Sequence, residues 1–91
     1  MASVQQNLSV FDKSQLPDAT KMHFGIAVAE WNSNITGALY QGAYDTLISC
    51  GVSPDQIHKI DVPGSFELTA GAKFLASNYK LDAVDCLRLF V

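Results

Sequence analysis

The feature that most constrains the fold is a nearly continuous apolar run at residues 23–29, His-Phe-Gly-Ile-Ala-Val-Ala. A strand with one face in water alternates apolar and polar residues. A strand in a parallel sheet that helices cover on both faces is apolar throughout. We therefore predict that this run forms a strand buried on both faces.

A helix is predicted to follow this strand. After Glu30-Trp31-Asn32-Ser33 interrupts the run, apolar side chains recur at helical spacing, at Ile35, Ala38, Leu39, Ala43, Leu47 and Cys50. The side chain of Asn32 or Ser33 is expected to cap the start of the helix. Gly51 is expected to end it, with Val52 as the accompanying hydrophobic contact.

The same order is then predicted again. A turn at Pro54-Asp55 leads to a second strand marked by Ile57, Ile60 and Val62, which Pro63-Gly64 ends. Ser65 is expected to cap a second helix, whose broad apolar face comprises Phe66, Leu68, Ala70, Ala72, Phe74 and Leu75. A third strand begins at residues 83–84. This order predicts a parallel α/β sheet, in which ligands bind at the carboxyl ends of the strands.

Composition excludes several function classes. The chain has 91 residues, 48% of them hydrophobic, and a formal net charge of −3 without a basic run, so we expect one small globular domain that does not bind nucleic acid. Neither a secretory signal nor an apolar stretch of ~20 residues is present, so we expect no membrane association. Cys50 and Cys86 lack metal or disulfide spacing and are expected to be reduced and apolar, as in a cytoplasmic protein.

The N-terminal part differs from the rest. Residues 1–21 are polar and irregular, and we interpret them as an extended arm preceding an α/β domain at residues 22–91. The apolar cluster Leu8, Val10 and Phe11 has two interpretations: packing on a neighbouring subunit, or a frayed tail.

The candidate ligand site consists of two loops at the carboxyl edge. Trp31 can stack on a planar heterocycle, although it could equally plug the end of the core. Asn32 offers donors and acceptors beside it. The loop Pro63-Gly64-Ser65-Phe66-Glu67 can bring backbone close to a ligand, although an ordinary helix start explains it too.

Taken together, the two loops resemble the lumazine synthase family. The matching segments are residues 24–32, Ile35-Thr36, Gly42-Ala43, residues 62–68 and Ala72-Lys73, in the same order and spacing. The resemblance covers roughly residues 22–84. It implies a flavodoxin-like three-layer α/β/α fold whose parallel sheet stops here after the third strand.

The resemblance also implies a function. Lumazine synthases condense 5-amino-6-ribitylaminouracil with 3,4-dihydroxy-2-butanone 4-phosphate to 6,7-dimethyl-8-ribityllumazine, through an imine, loss of phosphate and ring closure, without cofactor or metal. By position, Trp31 stacks on the pyrimidine, Ser65, Phe66 and Glu67 hold the ribityl chain, and Asn32 lines the same pocket. The family forms homo-oligomers, either pentamers or shells of twelve pentamers, with active sites between subunits and a Gly-x-Thr-x-His segment that carries the general acid/base.

This chain departs from the family at Asp85, and the Gly-x-Thr-x-His segment does not occur in it. Arg88 stands where the family has glycine. Asp85 and Arg88 are expected to be costly in a strand buried on both faces. His23 and His58, both distant from the strand carboxyl ends, are expected to be surface or edge residues and not a replacement base.

Two alternatives to an active subunit therefore remain: a non-catalytic flavin- or pyrimidine-binding subunit, and an inactive remnant. An unrelated flavodoxin-like signalling or nucleotide domain is disfavoured, because no Gly-rich phosphate loop follows the first strand.

Overall fold

The computed structural model describes residues 18–89. In chain order the elements are strand β1 (Phe24–Ala29), helix α1 (Ser33–Ser49), strand β2 (Ile57–Val62), helix α2 (Leu68–Asn78) and strand β3 (Ala83–Leu87), with 3-10 turns at Pro54–Gln56 and Ser65–Glu67. The strands are parallel in the order β2-β1-β3, so β1 is central. The predicted strand–helix–strand–helix–strand order is confirmed.

The central place of β1 explains its apolar sequence. Each residue from Ile26 to Ala29 is at most 3% exposed. Ala27 and Ala29 pack with Val62, Leu68 and Leu75 in a core on the α2 face of the sheet. Ile26 and Val28 lie on the opposite face, beside α1. The result is the expected three-layer α/β/α arrangement, with a three-stranded sheet.

Helix α1 turns a different stripe toward the sheet than the sequence predicted. Its side chains that are not fully exposed fall at Thr36, Tyr40, Ala43, Tyr44, Leu47 and, at its end, Cys50. Ile35 and Leu39 were expected on this face but are 46% and 44% exposed, and Ala38 is exposed too. The helix is rotated by about one residue, so that Thr36 and Tyr40 take the inward positions with the i, i+4, i+7 spacing.

The end of α1 agrees with the prediction. Gly51 has φ 97°, its N–H donates to the carbonyl of Ile48, and the N–H of Val52 donates to the carbonyl of Leu47, both at 3.1 Å. These two bonds form a Schellman motif, and Val52 is buried as its hydrophobic contact.

The predicted side-chain caps are not formed. Asn32 occupies the cap position of α1 without a side-chain hydrogen bond, because its backbone is left-handed there. At the second helix, Gly64 and not Ser65 precedes the first turn, and the carboxylate of Glu67 accepts the hydrogen bond of the Gly64 N–H at 3.0 Å. The acceptor for the free N–H therefore comes from inside the turn, as in a capping box.

Helix α2 buries a narrow stripe. Leu68, Gly71 and Leu75 are buried and Ala72 is half-buried. Phe66, Ala70 and Phe74 were expected on the same face, but they are exposed, with Phe66 at 95%. Residues 66, 70 and 74 form a separate i, i+4 row that points away from the sheet.

Strand β3 is an edge strand, which changes the expectation for its charged residues. It pairs with β1 on one side, and within residues 18–89 no strand pairs with its other side. Asp85 in the strand and Arg88 directly after it are exposed, so the burial cost expected from a covered strand does not arise. Cys86 is exposed as well and Cys50 is half-buried, and both are free cysteines.

The first 17 residues of the predicted arm, including its cluster at positions 8–11, lie outside the described part of the chain. Ala19 is buried at the end of α1, where its N–H donates to the carbonyl of Cys50 at 3.2 Å. No helix within residues 18–89 is long and apolar enough to cross a membrane.

Candidate active site

The site forms where the three strands end on one edge of the sheet. Ala29 and Val62 are paired in register at the ends of β1 and β2, and Val28 pairs with Leu87 at the end of β3. The N–H of Glu30 donates to the carbonyl of Val62 at 2.7 Å. This bond ties the first residue after β1 to the end of β2, so the loops that follow the two strands begin side by side.

The loop after β1 presents an aromatic surface. Trp31 is 56% exposed, so it does not plug the end of the core, which was the competing interpretation. The chain then reverses at Asn32, with φ 58° and ψ 55°, and enters α1. The indole is thereby left at the carboxyl edge with more than half of its surface accessible to a ligand.

The loop after β2 is a compact turn closed on itself. The Glu67 carboxylate accepts the N–H of Gly64 at 3.0 Å, and the Glu67 N–H donates to the carbonyl of Gly64 at 3.2 Å. One carboxylate oxygen of Glu67 is therefore engaged in holding the turn. Phe66 projects from it with 95% of its surface exposed.

The two loops share one open cavity of about 500 Å³. Its lining consists of Ala29, Trp31, Pro63, Gly64, Ser65, Phe66, Glu67, Arg88 and Leu89. Four of the five predicted site residues are in this lining: Trp31, Ser65, Phe66 and Glu67. The fifth, Asn32, is not.

Arg88 and Leu89 are lining residues that the sequence analysis did not assign to the site. Both directly follow β3, and the carboxyl ends of parallel strands converge on one edge. That position was the available signal. Arg88 and Glu67 give the cavity wall one cationic and one anionic side chain, beside the aromatic surfaces of Trp31 and Phe66.

The two histidines lie at the other edge of the sheet, as predicted. His23 precedes β1 and His58 is the second residue of β2, and their rings stack with centroids 6.5 Å apart. The ring of Tyr79 stacks on His58 at 3.9 Å. Neither histidine lines the cavity, and within residues 18–89 no group of three or more His, Cys, Asp or Glu side chains is placed to hold a metal ion.

A carboxylate with a lowered pKa, that of Asp55, also lies at this opposite edge. The hydroxyl of Ser53 donates a hydrogen bond to the carboxylate of Asp55 and holds the pKa of that group below its ordinary value. A backbone N–H bond and the nearby histidines act in the same direction. The Ser53–Asp55 hydrogen bond belongs to the turn before β2, and Asp55 does not line the cavity.

The family model and the relatives that match this chain all carry the same family name. The sequence model of the 6,7-dimethyl-8-ribityllumazine synthase family matches residues 21–89. Proteins named 6,7-dimethyl-8-ribityllumazine synthase from Parabacteroides distasonis and Flavobacterium johnsoniae are 56% and 49% identical to this chain over 84 residues, which is 92% of it. The protein of that name from Porphyromonas gingivalis is 49% identical over the same length.

The matched region is a part of each relative. It covers 52% of the Parabacteroides and Porphyromonas proteins and 44% of the Flavobacterium protein, so the chain spans about half the length of the curated relatives it matches. The fold, the shared cavity and the identity over nearly the whole of this chain agree. The chain belongs to the 6,7-dimethyl-8-ribityllumazine synthase family.

Proposed function

We propose that this chain supplies the pyrimidine-binding part of a lumazine synthase active site. In this proposal 5-amino-6-ribitylaminouracil lies on the indole of Trp31, and its ribityl chain lies along the turn at residues 64–67. It reacts there with 3,4-dihydroxy-2-butanone 4-phosphate to give 6,7-dimethyl-8-ribityllumazine, in cytoplasmic riboflavin biosynthesis. The observation that carries the proposal is the cavity that Trp31 and the turn line together.

The chemistry of the lining supports this ligand. An exposed indole face suits a planar pyrimidine ring, and an aromatic surface of this kind contributes about 1–3 kcal/mol per stacked base in other proteins. The hydroxyl of Ser65 and the carboxylate of Glu67 both accept hydrogen bonds from hydroxyl groups. The engagement of one Glu67 oxygen with Gly64 keeps the turn in shape while the ligand is absent.

Catalysis in this proposal depends on groups beyond the described residues. No histidine within residues 18–89 reaches the cavity, so the general acid/base would come from another segment or another subunit. Phe66 and Phe74, which are 95% and 52% exposed, form an apolar surface next to the site. Such a surface suits a homo-oligomer, a pentamer or a shell of pentamers, in which a neighbouring subunit covers the cavity.

A second candidate is a non-catalytic subunit that binds a pyrimidine or flavin. The absence of a histidine from the described cavity lining favours it. Turnover of the two substrates by the purified chain, followed by the absorbance of the lumazine product, tests the second candidate. Product formation excludes it, and binding without product is the result that it predicts.

Stacking on Trp31 is tested by substitution. Trp31→Ala should weaken binding of 5-amino-6-ribitylaminouracil by about five- to 150-fold, because about 1–3 kcal/mol of stacking is lost, whereas Trp31→Phe should weaken it only a few fold. The measurement is isothermal titration calorimetry. Tyr79→Ala is the matched control, since it removes a 42% exposed aromatic ring at the opposite edge of the sheet, beside His58. Unchanged affinity in Trp31→Ala would show that the ligand binds elsewhere.

A further inference from the structure

Asn32 has an unusual backbone next to the candidate site. It is the one non-glycine residue within residues 18–89 with a positive φ, 58° with ψ 55°. A side chain with a Cβ normally avoids this left-handed region, and asparagine tolerates it better than most. The position therefore demands a particular backbone conformation from its residue.

The side chain of Asn32 does little that the structure shows. It makes no capping hydrogen bond to α1, it is exposed, and it does not line the cavity. Its amide is thus not part of the cavity lining. The contribution left to Asn32 is its backbone conformation, which sets the direction in which the chain leaves Trp31.

The chain on both sides of this turn is anchored. On the far side, the carbonyl of Asn32 accepts the N–H groups of Ile35 at 2.9 Å and Thr36 at 3.2 Å, and Thr36 is 1% exposed. On the near side, the N–H of Glu30 is bonded to Val62 at 2.7 Å. Between these two anchors the chain consists of Glu30, Trp31 and Asn32. If both anchors are kept, a change of φ at position 32 has to be absorbed by the backbone of Glu30 and Trp31, which moves the indole.

We propose that Asn32 is a positioning residue whose left-handed backbone, and not its amide, holds the indole of Trp31 toward the cavity. This inference rests on the proposed function, since it explains how the stacking surface is presented. It also replaces the expectation that Asn32 contacts the substrate directly.

Two substitutions separate backbone from side chain. Asn32→Gly and Asn32→Ala both remove the amide, but glycine alone enters the left-handed region freely. Because Trp31 is the single tryptophan of the chain, quenching of its fluorescence by 5-amino-6-ribitylaminouracil reports binding directly. We expect Asn32→Gly to bind within about threefold of the wild type, and Asn32→Ala to bind about five- to thirtyfold more weakly.

Each result has a defined meaning. Equal weakening in the glycine and alanine variants would overturn the inference and assign the role to the amide, and wild-type binding by Asn32→Ala would overturn it as well. If Asn32→Ala does not fold, as judged by circular dichroism, Asn32→Asp takes its place. Aspartate also lacks the amide and tolerates the left-handed region, so Asn32→Asp should retain binding as Asn32→Gly does. Loss of binding in both of these variants would refute the inference.

Failure of the proposed function is distinguishable from failure of this inference. If the wild-type chain shows no quenching, the proposed ligand is wrong. The emission maximum of Trp31 in the ligand-free chain then tests the positioning role alone. It should shift in Asn32→Ala and stay at the wild-type value in Asn32→Gly; the absence of a shift in Asn32→Ala, or equal shifts in both, would refute the role.

Discussion

Replacement of Gly71 by valine tests how closely α2 approaches the sheet beneath the candidate site. A Cβ at Gly71 would lie 2.9 Å from Cγ1 of Val62, 3.5 Å from Cγ2 of Ile60 and 3.6 Å from Cβ of Ala27. The first of these distances is shorter than real Cβ contacts, and valine adds two further methyl groups. Overpacking of this kind typically lowers the free energy of unfolding by about 1–3 kcal/mol.

The expected loss is large against the stability of so small a domain. For a chain of 91 residues the free energy of unfolding is on the order of 5–14 kcal/mol. A loss of about 2 kcal/mol would lower the urea midpoint by about 2 M, at a slope of about 1 kcal/mol per molar. Val62 also directly precedes the turn at residues 63–67, so displacement of α2 should weaken ligand binding at the same time.

The assay is urea unfolding followed by circular dichroism and by Trp31 fluorescence. Ala70→Val is the matched control, because it places the same β-branched side chain on the exposed side of α2. That substitution should lower the free energy of unfolding by only about 0.6 kcal/mol, through helix propensity. A midpoint for Gly71→Val within about 0.3 M of the control would refute the close packing of α2 on β2.

Two further predictions concern the two turns between α1 and β2. Gly51→Ala should lower the free energy of unfolding by about 1–2 kcal/mol or more, because φ is 97° there and a Cβ would lie 2.5 Å from Cγ2 of Thr20. A thermal unfolding midpoint equal to that of the wild type would contradict this prediction. Asp55 has a pKa held below its ordinary value of 3.8 by the Ser53 hydroxyl, so its contribution to stability is present above about pH 4 and is lost as the pH falls through the lowered pKa. The free energy of unfolding should therefore fall less in Asp55→Asn than in the wild type between pH 5 and about pH 2. Urea midpoints at both pH values measure this difference. An equal fall in both proteins would show that this carboxylate is not linked to folding.

Much of the architecture was predictable because local chemistry specifies it. The unbroken apolar run of β1 predicted a strand covered on both faces, and the structure buries its last four residues almost completely. Gly51 predicted the end of α1 because the left-handed conformation there favours glycine. The convergence of Trp31 and the 63–67 turn followed from the rule that parallel strands end at one edge.

Other features depended on contacts that periodicity does not contain. A helical apolar pattern is compatible with neighbouring rotations, and the sheet selected Thr36 and Tyr40 as the inward positions instead of Ile35 and Leu39. The row of Phe66, Ala70 and Phe74 has the same spacing as a core face, yet the close approach of Gly71 to β2 turns that row outward. Neither choice is visible before the layers are packed.

The sequence by itself thus determined the order of the elements, the parallel sheet and the edge at which the site lies, because apolar periodicity and glycine conformation are properties of a few neighbouring residues. Only the tertiary structure decided that β3 has no second partner strand within residues 18–89, that Arg88 and Leu89 enter the cavity lining, and that Asn32 has a left-handed backbone. Those outcomes depend on which surfaces meet across the sheet, and such meetings join residues that are far apart in the chain.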